Sequence, residues 1–466
     1  MPLAALREIL AAAGLDAPAQ PPKISGADPV FPTRYRVGTA GAAALAALGV
    51  GVSRLGELRG LGAQEVQVDL RAAAASLRSS RYMRIDSNPP PPVWDPLSGY
   101  YPVRDGWISI HSNFPNHRDA ALRVLQSNPA REEAETKSAG WTGEALEDAI
   151  HAAGGCAGFV RSADEWARHP QGKAVASQPL LEIVRIGDAP PEKLKEASRP
   201  LLGVRVLDLT RVLAGPACAR SLAEHGADVL KISAAHLPDL GAVELDTGIG
   251  KLSARLDLRK SEDLARLKSL VKDGDVFSQS YRPGALAARG FSPEALAALR
   301  PGIVCVSLSA WGGTGPWRER RGYDSIVQAV SGMAHSSGKF AGDGSKPQLL
   351  PVSAIDYVSG YLMAFGAAVA LARRAREGGS WQVRVALARV GNWIADRGTL
   401  PEEAFKKAPA EIPPEELEPL MGEMNAAGSR IRYLRPVLQL TRTPPYWSRP
   451  PVPLGTHAPA WPEREG

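Results

Sequence analysis

Between positions 203 and 312 the sequence alternates short apolar runs with amphipathic stretches, and this alternation narrows the fold more than any other feature. GVRVLDLT (203–210), DVLKIS (228–233), DVFSQS (275–280) and IVCVSLSAWG (303–312) read as strands, and ARLDL (254–258) as a short extended piece. CARSLAEHGA (218–227), SEDLARLKSLVKDG (261–274) and SPEALAALRPG (292–302) carry helical periodicity between them. Strands separated by helices of this length imply βαβ units. The fold class expected is α/β, a Rossmann-like doubly wound parallel sheet with a smaller α+β domain beside it. The organising unit runs from Leu202 to Leu387. It opens on LLGVRVLDLTRVLAGP, and its most informative acid is Asp356, in SAIDYVSGYLMAFGAAVAL (353–371).

Composition removes several function classes. A chain of 466 residues buries a large core and supports two or three domains. Its net charge of +6 favours an anionic ligand over a polyanionic polymer, and no basic run suits nucleic acid. Cys156, Cys218 and Cys305 lie far apart, as free thiols of a reducing compartment do, so a cytoplasmic location is expected. Met1–Gly14 is broken by Arg7 and Glu8 and reads as an amphipathic helix rather than a signal peptide. No window holds 18 uninterrupted apolar residues, so no membrane span is expected. The eight histidines show no metal spacing, and no G-x-S-x-G elbow is present.

Five regions follow along the chain. Residues 1–30 hold the first helix and a Pro-rich link. Residues 31–88 hold a helix crowded with Ala and Gly, then the alternating strand EVQVDL. Residues 89–200 read as a small α+β domain with a hairpin turn at Asp105-Gly106. In that domain Thr142 with Glu144, and Ser162 with Asp164 and Glu165, mark helix starts. Residues 201–400 are the Rossmann-like domain, and 401–466 a Pro-rich tail expected to pack back on it. One internal echo stands out. VSGYLMAFGAAVALARRAREGGSWQVRVAL (358–387) is similar to VGTAGAAALAALGVGVSRLGELRGLGAQEVQVDL (37–70). Tyr35 falls where the second copy has Asp356. Either two Ala-rich helix–strand pairs converged, or 31–88 is a degenerate copy of the large domain that lacks the acid.

Several residues have two readings. The turn TRVLAGP (210–216) is a plain βα turn or an approach for an anion to main-chain amides. Arg282 and Arg289 in SYRPGALAARGF (280–291) are solvated loop residues or phosphate partners. RERRGYDSIVQAVSGM (318–333) sets three arginines before Tyr323 and Asp324, as a charged loop or a rim for an anionic nucleotide. Asp356 stands at the start of an apolar helix, as an ordinary N-cap or as a placed carboxylate. No His stands near it in sequence to serve as a partner base.

In this order, GVRVLDLTRVLAGP, HGADVLKI, GKLSARLDLRK, SYRPGALAARGF, GYDSIVQAVSGM and IDYVSGYLMAFGAAVALARR resemble the class III CoA-transferase family across 203–388. The family includes formyl-CoA and carnitine CoA-transferases and alpha-methylacyl-CoA racemase, the CaiB/BaiF group. Residues 92–195 resemble its small domain, which usually follows the Rossmann-like unit and here precedes it. The chain thus resembles a long form with a degenerate first half. The resemblance implies that Asp356 is the catalytic nucleophile, forming an aspartyl-acyl anhydride and then an aspartyl-CoA thioester. It implies CoA contacts at Val212, Leu213, Ala214, Leu256, Arg259, Ser280, Tyr281, Arg289, Arg321 and Tyr323. Small residues around 359–368 would then admit the pantetheine arm.

The substrates implied are an acyl-CoA and a carboxylic acid. No tightly bound cofactor, metal, nucleic acid or membrane is expected, and the assembly expected is a homodimer. This sequence departs from the family at Ser280-Tyr281, which replace Asn-Phe, at Ala288, which replaces Arg, and at SAAH (233–236). Tyr323 stands where the racemase branch has a His. That favours a transferase over a racemase, with a non-catalytic CoA-binding subunit as the third reading.

Overall fold

The computed structural model describes residues 1–339 and 346–464. Its centre is a seven-stranded sheet of β1 (Glu182–Gly187), β2 (Arg205–Leu209), β3 (Asp228–Ser233), β4 (Lys251–Arg255), β5 (Val276–Gln279), β6 (Val304–Ser309) and β7 (Ser380–Ala386). The strand order is β4-β3-β2-β5-β6-β7-β1. All pairs are parallel except β7 with β1. The chain moves outward from β2 to β4, then returns to the other side of β2 with β5. That reversal leaves a crevice beyond the carboxyl ends of β2 and β5, the place where open α/β sheets bind ligands.

Two strand and helix starts differ from the sequence expectation, each for a polar reason. β4 begins at Lys251 rather than at residue 254, because Lys251 is buried on a salt bridge. Its Nζ lies 2.7 Å from Asp208 and 2.8 Å from the Pro216 carbonyl. The helix expected from 218 already starts at Ala214, so the Gly-Pro pair forms its first turn. Pro216 fits there because amides of the first turn have no intrahelical partner to lose.

The helices that frame the site are α1 (Val37–Leu58), α2 (Ala214–Ala223), α3 (Ser261–Lys272), α4 (Pro293–Leu299), α5 (Asp324–Val330) and α6 (Ala354–Glu377). α6 starts after Pro351 and ends at Gly378 and Gly379, both in the left-handed region. Arg374 in its last turn pairs with buried Asp275 at 3.0 Å, fixing the helix end to the start of β5. α1 and α6 are each long and apolar enough by length and composition to cross a membrane. In this molecule they lie against each other inside one apolar core that also takes in α2. A helix apolar on all sides needs such a setting.

The echo is therefore two neighbouring helices. Its strands part company, however. β7 joins the large sheet, while Val66–Asp69 pairs with Lys23–Ser25 and with Leu438–Leu440 from the far end of the chain.

The hairpin Gly99–Val103 and Gly106–Ile110, with Ala157–Phe159, forms a separate three-stranded sheet. Three helices cover it over a core of Tyr101, Ile108, Leu146 and Ile150. Ser162 and Glu165 make the reciprocal capping box that their spacing predicts. The tail crosses the large sheet's edge. The His457 amide donates to the Ser253 carbonyl at 2.7 Å, and Trp461 Nε1 donates to the Leu270 carbonyl at 2.9 Å.

Candidate active site

The crevice at the sheet's reversal opens into a cavity of about 540 Å³. β2 delivers Val212, Leu213 and Ala214 to its wall, and β5 delivers Ser280 and Tyr281. The two strand ends are tied directly, since the Arg211 amide donates to Ser280 Oγ at 3.2 Å. Val212 adopts φ 69°, a left-handed conformation that is unfavourable for a β-branched residue. Such strain persists only where the surroundings fix it, and here it turns the chain from strand into helix over the cavity.

Arg211, Arg282, Arg320 and Arg321 line the same space. The Arg282 and Arg321 side chains show no hydrogen bond or ion pair among the described residues. Burial, with Arg282 close by, pulls the Arg321 guanidinium below its usual range. An anion would relieve both groups.

Asp356 lies at the cavity's inner end and is almost wholly buried. It is not an N-cap. Ser353 holds that position, and Asp356 is the third residue of α6. Its amide donates to Asp324 Oδ2 at 3.0 Å, so the orphan donor of the α6 first turn is satisfied by an acid from α5. Gln328 holds the other Asp324 oxygen. Burial pushes the Asp356 carboxyl well above the usual carboxylate range, and the neighbouring Asp324 adds to that. Burial likewise raises Asp324 to about 6, against the hydrogen bonds it accepts.

A second cavity of about 390 Å³ lies on the other side of this acid. Val212, Leu213, Tyr323 and Asp356 belong to both.

Of the residues singled out in the sequence, Asp356, Val212, Leu213, Ala214, Ser280, Tyr281, Arg321 and Tyr323 come together at the first cavity. Leu256, Arg259 and Arg289 do not line it. Leu256 is a core residue packed with Leu209, Leu230 and Phe277. Arg259 folds back on Asp257, and Arg289 donates to the Leu258 carbonyl. The small residues of 359–368 also serve packing rather than access. A Cβ on Gly360 would lie 2.5 Å from the Ala214 carbonyl oxygen, and one on Gly366 would lie 2.5 Å from Val383.

Sequence reasoning missed the histidines. His111 stacks on the Tyr323 ring with centroids 3.9 Å apart and planes 8° apart, and it lines the second cavity. His117 and His236 line the first. Burial lowers His111 to about 3 and His117 to about 4, so both are neutral near pH 7. The signal was HSNFPNH (111–117), more than 200 positions before Asp356, read as part of a domain without chemistry.

The doubly wound α/β unit thus presents a cationic crevice with a buried acid at its inner end. Residues 201–420 match the family model of CoA-transferase family III. The acetyl-coenzyme A transferase nodX of Hypoxylon pulicicidum is 31% identical over 249 residues, covering 51% of this chain and 42% of that protein. An acyl-CoA transferase of Gibberella moniliformis is 27% identical over 407 residues, covering 75% and 71%. The crystal structure of a CAIB/BAIF family protein from Brucella suis aligns at 25% identity with TM-score 0.40, covering 50% of this chain and 65% of that one. Matches to six further curated relatives span between 30% and 51% of their length.

Proposed function

We propose that the chain is a CoA-transferase that moves CoA from an acyl-CoA to a carboxylic acid, with Asp356 as nucleophile. The observation that carries this reading is the position of Asp356 as the shared wall of two cavities, one lined by four arginines and one with a mainly apolar wall. Ionised Asp356 attacks the thioester carbonyl, the C–S bond breaks, and CoA thiolate leaves an aspartyl-acyl anhydride. The thiolate attacks the aspartyl carbonyl of the anhydride, releasing the donor acid and forming an aspartyl-CoA thioester. The acceptor carboxylate attacks that thioester and expels thiolate. The thiolate then takes the acceptor's acyl group, and Asp356 is regenerated.

Arg211, Arg282, Arg320 and Arg321 would hold the anionic end of CoA, and holding it makes both thiolate attacks effectively intramolecular. Incubation with an acyl-CoA followed by hydroxylamine should convert Asp356 to a hydroxamate that mass spectrometry locates. Absence of any modification at Asp356 would overturn the reading.

A racemase is the second reading, favoured by His111 against Tyr323 and beside the same cavity as Asp356. Two bases on opposite faces of an α carbon are what that reaction requires. Solvent deuterium entering the α position without CoA exchange would select it. A homodimer belongs to the proposal as well, and light scattering on the eluting species tests it.

A further inference from the structure

We propose that the second cavity is the acyl chamber and that it selects thioesters with an extended apolar chain. The inference rests on the transferase reading of Asp356. The two cavities that meet at this acid differ in chemistry. Four arginines line the first. The second is walled by Pro89–Pro92, Trp94, Leu240, Val243, Leu350 and Val352.

A run of four prolines has fixed φ angles and no amide to offer, so it forms a stiff wall without hydrogen-bond donors. Two of the polar groups lining the chamber, Gln328 and Asp324, are already engaged, while His111 Nδ1 has no hydrogen-bond partner among the described residues. Gln328 donates to Asp324 and accepts the Leu350 amide at 2.8 Å, and Asp324 accepts the Asp356 amide. Among the described residues the chamber's one cation is Arg81, which stands exposed at the mouth. Trp94 is one of few large hydrophobic side chains left open to solvent, at 49% exposure. It too lines this mouth, where an apolar chain would cover it.

A thioester reaching Asp356 with its CoA moiety in the cationic crevice has its carbonyl at the junction and its acyl chain directed onward. Burying methylenes in such a chamber favours longer chains by about fourfold per CH₂ until the space is full.

The test compares acetyl-, butyryl-, hexanoyl-, octanoyl- and succinyl-CoA as donors, reading both kcat/KM and hydroxylamine-trapped Asp356. The expected result is a rise of about fourfold per methylene, with succinyl-CoA below butyryl-CoA. Trp94→Ala, at an exposed site that leaves the core alone, should lower the octanoyl-to-acetyl ratio about tenfold. Val93 also lines the chamber, and Val93→Trp, which narrows it, should lower the same ratio. Trapping at Asp356 with no dependence on chain length, or with succinyl-CoA preferred, would overturn the chamber while leaving the transferase standing. Absence of trapping with every thioester would overturn both.

Discussion

Two acids share one buried corner, and each sets what the other can do. Under the proposed mechanism Asp356 must be ionised to attack, yet burial and Asp324 hold its proton on. Replacing Asp356 by Asn should reduce CoA exchange by on the order of a thousandfold while acyl-CoA still binds, which calorimetry can separate. Asp324→Asn keeps an oxygen for the Asp356 amide and removes the repelling charge. The acid limb of the kcat/KM–pH profile should therefore move to lower pH. Stability gives an independent readout. A carboxyl whose folded pKa is raised binds its proton more tightly when folded, so its cost is absent below about pH 4 and grows as pH rises through about 6. Melting temperature should fall over that interval in the native chain and fall less in Asp324→Asn.

At the scale of elements, the position of Asp356 depends on how closely α6 approaches α2. Gly360 lies one turn beyond the acid, and its missing Cβ is the space the Ala214 carbonyl occupies. Gly360→Ala should cost about 1–3 kcal/mol by denaturant titration and push Asp356 away from the crevice, lowering kcat as well. Glycines at such a crossing look in sequence like room for a substrate, which is how the sequence reading took them.

The strands were legible because β2, β3, β5 and β6 are short apolar runs between turns. β4 was legible only in part, since an ion pair disguises Lys251 as a surface residue. Motif order collected the walls of the first cavity. It could not show that Leu256 points into the core, nor that His111 reaches Tyr323, because neither direction nor long-range proximity has a local pattern. The second cavity was invisible for the same reason, being assembled from segments near 90, 110, 240, 325 and 350.

At the scale of the molecule, the two ends of the chain close the structure. The tail lies along β4, the open edge of the large sheet, through Ser253 and His457. Deleting residues 441–464 should leave that edge unpaired, and light scattering should then report aggregation that the full chain does not show. The pairing of α1 with α6 bears on synthesis. About 300 residues separate the two helices, so at roughly 5–20 residues per second α1 waits some 15–60 s for its partner. During that interval this 22-residue apolar helix has only its sequence neighbours, the helices Pro2–Ala12 and Leu70–Ser76, to pack against, and the face that α6 covers stays open. It is the segment of the nascent chain that a chaperone would be expected to hold, and the burden falls on the part of the chain that lacks Asp356.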